Sequence, residues 1–135
     1  MRFILIDTSV WIEYFRGSEA VNPVIVDNLI ENNQICTNDL ILSELIPSLK
    51  IKREREVIDI LLTIRKIPIQ IKWNEIIDFQ FNNLKNGINN VGIPDLIILQ
   101  NVIGNDLELF THDRHFQLMN KYFKFKLFDF SAVKI

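Results

Sequence analysis

The chain has 135 residues, of which 48% are hydrophobic and ten are Phe, enough to form one packed domain over residues 1–135. A formal charge of −2 excludes a protein that grips nucleic acid through a uniformly basic surface, so any nucleic-acid partner must meet a local patch or a metal. The single cysteine, Cys36, excludes an internal disulfide and reads as a small buried thiol in the apolar stretch Gln34-Ile35-Cys36-Thr37.

Met1-Arg2-Phe3-Ile4-Leu5-Ile6 mimics the start of a signal peptide, but its four-residue apolar run meets Asp7, which makes it too short for a leader. No stretch approaches the ~20 apolar residues of a membrane span. A cytoplasmic protein with no membrane association is therefore expected. The run Phe3 to Ile6 is instead a strand buried on both faces of a parallel sheet, ending at Asp7. Thr8 or Ser9 caps a short helix through Phe15, which Gly17 ends, and Asn22-Pro23 sets the cap and first turn of a helix over Val24 to Glu31.

Gln34 to Thr37 reads as the second strand. Asn38-Asp39 then caps a helix carrying Leu40, Ile41, Leu42, Leu45, Ile46 and Leu49. A second helix, from about Arg53 to Arg65, has Val57, Ile58, Leu61 and Leu62 at core spacing and completes a helical hairpin. Ile67 to Ile71 is expected as a short strand, followed by a helix from Asn74 to about Lys85 that Gly87 closes. Pro94 opens a further helix that stops near Gly104. Leu107 to Thr111 and Phe125 to Phe128 are the last strand candidates, with a short helix from about His115 to Leu118 between them. Strands alternating with helices predict a doubly wound α/β sheet covered on both faces.

In such sheets ligands bind beyond the carboxyl ends of the strands. Asp7 directly follows the first strand, and Asp113 lies two residues past Thr111, so the two converge if their strands are neighbours. Glu44 borders the apolar face of its helix, and Asp95 sits in the first turn of an otherwise apolar one, where the helix dipole favours an anion. Each acid also has a local reading. Asp7 can be a helix cap, Asp95 an ordinary helix-start acid, Glu44 an outward-facing side chain, and Asp113 part of a turn with Arg114.

Taken together, the four acids can converge from distant parts of the chain, and clustered carboxylates repel unless a cation neutralises them. Oxygen donors suit Mg²⁺ or Mn²⁺, one or two ions, and no His or Cys cluster suggests zinc. His112 and His115 flank Asp113 and read as capping or packing residues rather than ligands.

The segments Ile6-Asp7-Thr8-Ser9-Val10-Trp11-Ile12-Glu13, Leu42-Ser43-Glu44-Leu45, Ile93-Pro94-Asp95-Leu96-Ile97-Ile98 and Thr111-His112-Asp113-Arg114-His115-Phe116 occur in this order along the chain. Together they resemble the PIN-domain family, in particular the VapC-type toxins of bacterial and archaeal toxin–antitoxin pairs. The resemblance implies a three-layer α/β/α fold with a mainly parallel sheet of about five strands. It also implies divalent-metal-dependent endoribonuclease activity, homodimerisation and inhibition by an antitoxin protein. Carried over by position, it assigns metal-binding and catalytic roles to Asp7, Glu44, Asp95 and Asp113, with Thr111, Thr8 and Ser9 in support. The chain departs from the family pattern after Asp95, where Leu96, Ile97, Ile98 and Leu99 replace small residues.

On this reading RNA is hydrolysed by a metal-activated water, leaving a 5′-phosphate and a 3′-hydroxyl. Lys50, Lys52, Arg53 and Arg55 form the one dense basic run and are candidates for RNA contact, with a solvated helix start salted by Glu54 and Glu56 as the alternative. Trp11, Tyr14 and Phe15 read as core or dimer contacts in preference to base-stacking platforms. Two rival functions stand beside this one. A non-catalytic PIN-like module would bind RNA or protein without cutting. A small-molecule phosphohydrolase with an aspartyl nucleophile is disfavoured because position 9 is Ser where a second acid is wanted. No Gly-rich loop follows the first strand, which disfavours a nucleotide-binding Rossmann module.

Overall fold

A computed structural model describes residues 2–129. The expected single domain of residues 1–135 thus extends at both ends outside the described residues. In chain order the elements are β1 (Ile4–Ile6), α1 (Thr8–Arg16), α2 (Pro23–Glu31), β2 (Ile35–Thr37), α3 (Asp39–Ile51), α4 (Arg55–Thr63), β3 (Arg65–Lys66), α5 (Trp73–Lys85), α6 (Ile93–Gly104), β4 (Glu108–Phe110), α7 (Arg114–Met119) and β5 (Lys126–Leu127).

The sheet has the order β3-β2-β1-β4-β5, and all four pairings are parallel. β1 lies at its centre because Ile4, Leu5 and Ile6 are all buried, as an uninterrupted apolar run between two helical layers must be. Strands β2 and β3 add on one side of β1, and the chain then returns to pair β4 on the other. With right-handed crossovers, that reversal puts α5 and α6 on the face opposite α1 to α4. Helix packing follows the same division, α1 on α3, α3 on α4 and α5 on α6. This is the three-layer, mainly parallel fold expected from the sequence.

Local chemistry sets most boundaries where the sequence puts them. The cap of α1 is Asp7, accepting from Val10 N, and not Thr8 or Ser9, which already lie within the helix; Gly17 ends it in the left-handed conformation at φ +66°. Asn22 caps α2 ahead of Pro23, and the fully buried Asn38 caps α3 by accepting from Ile41 N at 2.9 Å.

The region between α4 and α5 differs from expectation. The strand is Arg65–Lys66, not Ile67 to Ile71, and α4 stops at Thr63, before Arg65. Ile64 is already extended, and parallel pairing matches Cys36 with Arg65 and Thr37 with Lys66. Ile67 N makes the last bond to this edge, to Thr37 O at 2.8 Å, and the next residue, Pro68, has no N–H with which to continue it. From there the backbone is held by polar side chains of α6. Asn101 Nδ2 donates to Pro68 O at 3.0 Å, and Gln100 bonds both the N–H and the carbonyl of Lys72. That clamp, rather than a cap by Asn74, sets the start of α5 at Trp73. Helix α4 likewise begins at Arg55 and not Arg53, since Arg53 occupies a left-handed turn at φ +59°.

Candidate metal centre

Strand order reverses between β1 and β4, and the chemistry-bearing residues gather at the carboxyl ends of these two strands. Asp7 N donates to Phe110 O at 3.1 Å, so pairing continues one residue past β1 and fixes Asp7 beside Thr111. The Asp7 side chain is only 4% exposed. Thr111 Oγ1 donates to its Oδ2 at 2.5 Å, and Ser9 Oγ and Val10 N donate to its Oδ1 at 2.5 and 3.3 Å. Burial raises the Asp7 pKa above the ordinary carboxylate value; the donors oppose that shift, and the charge of Asp113 adds to it.

Ser9 and Thr111 also organise the segment after β4. His112 N donates to Ser9 Oγ at 3.1 Å, and Asp113 N donates to Thr111 Oγ1 at 2.9 Å. Asp113 caps α7, its Oδ1 accepting from His115 N at 2.8 Å. Thr8 reaches in the other direction, donating from Oγ1 to Glu44 Oε1 at 3.0 Å and so linking α1 to α3. Glu44 is exposed, in keeping with its place at the border of the apolar face of α3.

Asp95 is half-buried in the first turn of α6. Its pKa is pushed up to about 6, mainly by burial, then by the charges of Asp113 and Asp7, with a smaller push from Glu44 and an opposing pull from His115. All four sequence-predicted acids therefore act on one electrostatic centre. The tightest group has a different membership. One ligand atom each from Asp95, Asp113 and His115 lie within 4.8 Å of one another, whereas Asp7 and Glu44 are outside this group and act on it through their charges on Asp95.

His115, which reads in the sequence as a capping or packing side chain, thus joins the acids. The signal that finds it is the spacing: an N-cap acid bonds the backbone N–H two residues on, which brings that residue beside its carboxylate. The donor set fits a hard divalent cation, being rich in carboxylate oxygens with one imidazole among them. Three other carboxylates raise the Asp95 pKa, a penalty that a cation held by the group would remove.

The basic run is not drawn into this centre. Lys50, Lys52, Arg53 and Arg55 are exposed across the end of α3 and the turn into α4. Lys52 lines a groove with Ile12, Arg16 and Ser48, between α1 and α3. Trp11 is buried, stacked on Phe15 at 5.5 Å and edge-on to Tyr14, which makes it a core residue. Cys36 is fully buried, and burial pushes its thiol up to about 12, leaving it inert as expected. Among the described residues, no helix is long and apolar enough to cross a membrane.

Comparison with known proteins agrees with this architecture. Three solved complexes are similar in fold: VapBC2 of Rickettsia felis bound to a promoter DNA fragment (TM-score 0.67, 18% identity, 86% of this chain and 92% of the other covered), DNA-bound VapBC of Salmonella typhimurium (0.66, 19%, 87% and 92%), and VapBC-1 of nontypeable Haemophilus influenzae (0.64, 18%, 96% and 99%). No curated protein matches the sequence. The PIN domain family matches residues 4–122, a span that holds Asp7, Glu44, Asp95, Asp113 and His115. With strand order, acid placement and family match in agreement, the chain belongs to the PIN domain family.

Proposed function

We propose that the chain is a single-domain endoribonuclease, the toxin of a toxin–antitoxin pair, which acts as a homodimer in the cytoplasm and uses one or two Mg²⁺ or Mn²⁺ ions. The observation that carries this reading is the electrostatic coupling of four carboxylates at the β1/β4 switch point, with Asp95 pushed up to about 6. The fold neighbours are VapBC complexes, two of them bound to DNA, which supports an antitoxin partner for this chain.

Asp95, Asp113, Asp7 and Glu44 would hold the cation. When bound, it supplies the charge that binds the scissile phosphate and lowers the pKa of an attacking water. The remaining work belongs to the chain. Thr111 and Ser9 fix the Asp7 carboxylate by short hydrogen bonds, and Thr8 holds Glu44 against α1. No side-chain nucleophile is required. Exposed cations such as Lys52 and Arg53 offset the repulsion between an acidic centre and an RNA backbone.

The test incubates the purified protein with a mixed RNA pool and, separately, with p-nitrophenyl phosphate, each with Mg²⁺, Mn²⁺ or EDTA. RNA cleavage abolished by EDTA supports the ribonuclease. Ester hydrolysis without RNA cleavage assigns a small-molecule phosphohydrolase, and neither activity assigns a non-catalytic binding module.

A further inference from the structure

We propose that a ring nitrogen of His115 is a direct ligand of the divalent cation held by Asp95 and Asp113, giving a mixed nitrogen and oxygen donor set that raises the preference for Mn²⁺ over Mg²⁺. The proposal rests on the divalent-metal reading above and adds to it a ligand outside the four carboxylates.

Three observations converge on the ring. Its ligand atom lies with those of Asp95 and Asp113 inside a 4.8 Å group. In an octahedral shell with bonds near 2.1 Å, donors stand roughly 3 Å apart when adjacent and about 4.2 Å apart when opposite. The group therefore needs only a small contraction to surround an ion. Secondly, His115 Nδ1 lies 3.6 Å from Asp113 Oδ1, too far for a hydrogen bond and close to the spacing of adjacent ligands. No hydrogen bond to the His115 ring occurs among the described residues, so its nitrogens are not committed elsewhere.

Thirdly, the position is fixed from below. His115 N bonds Asp113 Oδ1 at 2.8 Å, and the next residue, Phe116, is buried in the core, so the backbone that carries the ring is held beside Asp113. The ring is about one-third exposed, enough for an ion and its waters to reach it. Imidazole nitrogen is a softer donor than carboxylate or water oxygen, so its presence favours a transition ion over Mg²⁺.

The experiment uses the full chain and Mn²⁺ itself. Mn²⁺ binding is titrated by electron paramagnetic resonance, and electron spin-echo envelope modulation then reads ¹⁴N coupled to the bound ion. Wild-type protein is expected to show directly coordinated ¹⁴N. His115→Ala should lose that modulation and weaken Mn²⁺ binding about tenfold. His115→Glu, which restores a donor atom but makes it oxygen, should recover binding without ¹⁴N and lower the ratio of Mn²⁺ to Mg²⁺ affinity. Circular dichroism confirms folding of both variants. Bound Mn²⁺ with no ¹⁴N modulation in the wild type overturns the proposal and leaves the carboxylate site standing, whereas absence of any bound Mn²⁺ overturns both.

Discussion

Thr111 Oγ1 donates to Asp7 Oδ2 at 2.5 Å across 104 positions of sequence, joining the ends of two adjacent parallel strands through one hydroxyl. The same oxygen accepts from Asp113 N, so this side chain sets the spacing between two acids of the centre. Thr111→Val keeps the shape and removes both bonds. It leaves a buried carboxylate oxygen short of a donor, at a cost of about 1–3 kcal/mol. Thermal melts should show that loss, and cleavage by the folded variant should fall about 10- to 100-fold. Thr111→Ser should recover most of both, and a Val variant as active as wild type would separate Thr111 from the chemistry.

Asp7 has two tasks that substitution can separate. Its Oδ1 caps α1 through Val10 N, and its charge belongs to the acidic centre. Asn caps a helix about as well as Asp. Asp7→Asn should therefore keep the circular dichroism spectrum and a melting temperature at or above that of the wild type, since it removes a buried charge, while RNA cleavage with Mg²⁺ or Mn²⁺ disappears. Asp7→Ala should also lose about 1 kcal/mol of stability with the cap. Full cleavage by the Asn variant would remove Asp7 from the mechanism.

Much of this is legible in the sequence because the residues concerned obey local rules. The run Ile4-Leu5-Ile6 declares a strand buried on both faces, and Asp7 and Asp113 declare themselves by following strands at the edge where parallel sheets bind ligands. Asp95 and Glu44 owe more to family resemblance, because an acid in a first helical turn or beside an apolar face has ordinary local explanations. The third strand lies away from its expected place for a tertiary reason. Arg65 and Lys66 carry no apolar signal, and β3 exists because Thr37 and Cys36 offer an open edge to whatever extended backbone precedes Pro68. His115 is legible only in part: the capping spacing places it beside Asp113, whereas its proximity to Asp95, 20 positions away, is encoded by no local pattern.

The raised pKa values of Asp95 and Asp7 make metal-free stability fall with pH. Below the unfolded value of 3.8 both states of Asp95 are protonated and nothing is lost. Between 3.8 and about 6 the unfolded chain releases its proton first, so it binds fewer protons than the fold and stability declines through that window. Asp7 contributes with the same sign. Solvent screening of the half-buried Asp95 limits its part to about 1 kcal/mol. Denaturant melts in EDTA should therefore show lower stability at pH 7 than at pH 4.5 from these groups, and Asp95→Asn should flatten the profile and raise the metal-free melting temperature by about 3–5 °C at pH 7. Saturating Mn²⁺ should reverse the wild-type loss, and a stability that rises through this window in EDTA, unchanged in the Asn variant, would contradict the repulsion argument.

The exposed run after Glu44 supplies a last prediction, on substrate binding. Lys50 lies six residues beyond Glu44 on α3, about 9 Å along the helix axis, and Lys52 and Arg53 follow in the turn to α4. Among the described residues none of the three is in an ion pair, so their charge is available to a phosphate backbone. Reversing Lys52 and Arg53 to Glu should weaken binding of single-stranded RNA while leaving the fold intact. Each phosphate that the variant no longer neutralises should flatten the slope of log affinity against log salt by about 0.7. Arg53 already sits at φ +59°, so replacing one long side chain by another adds no new backbone strain and the effect read is electrostatic. Unchanged affinity and slope would mark the run as a solvated turn, and would place the backbone-holding cations elsewhere, with Arg16 in the groove beside Lys52 the next to test.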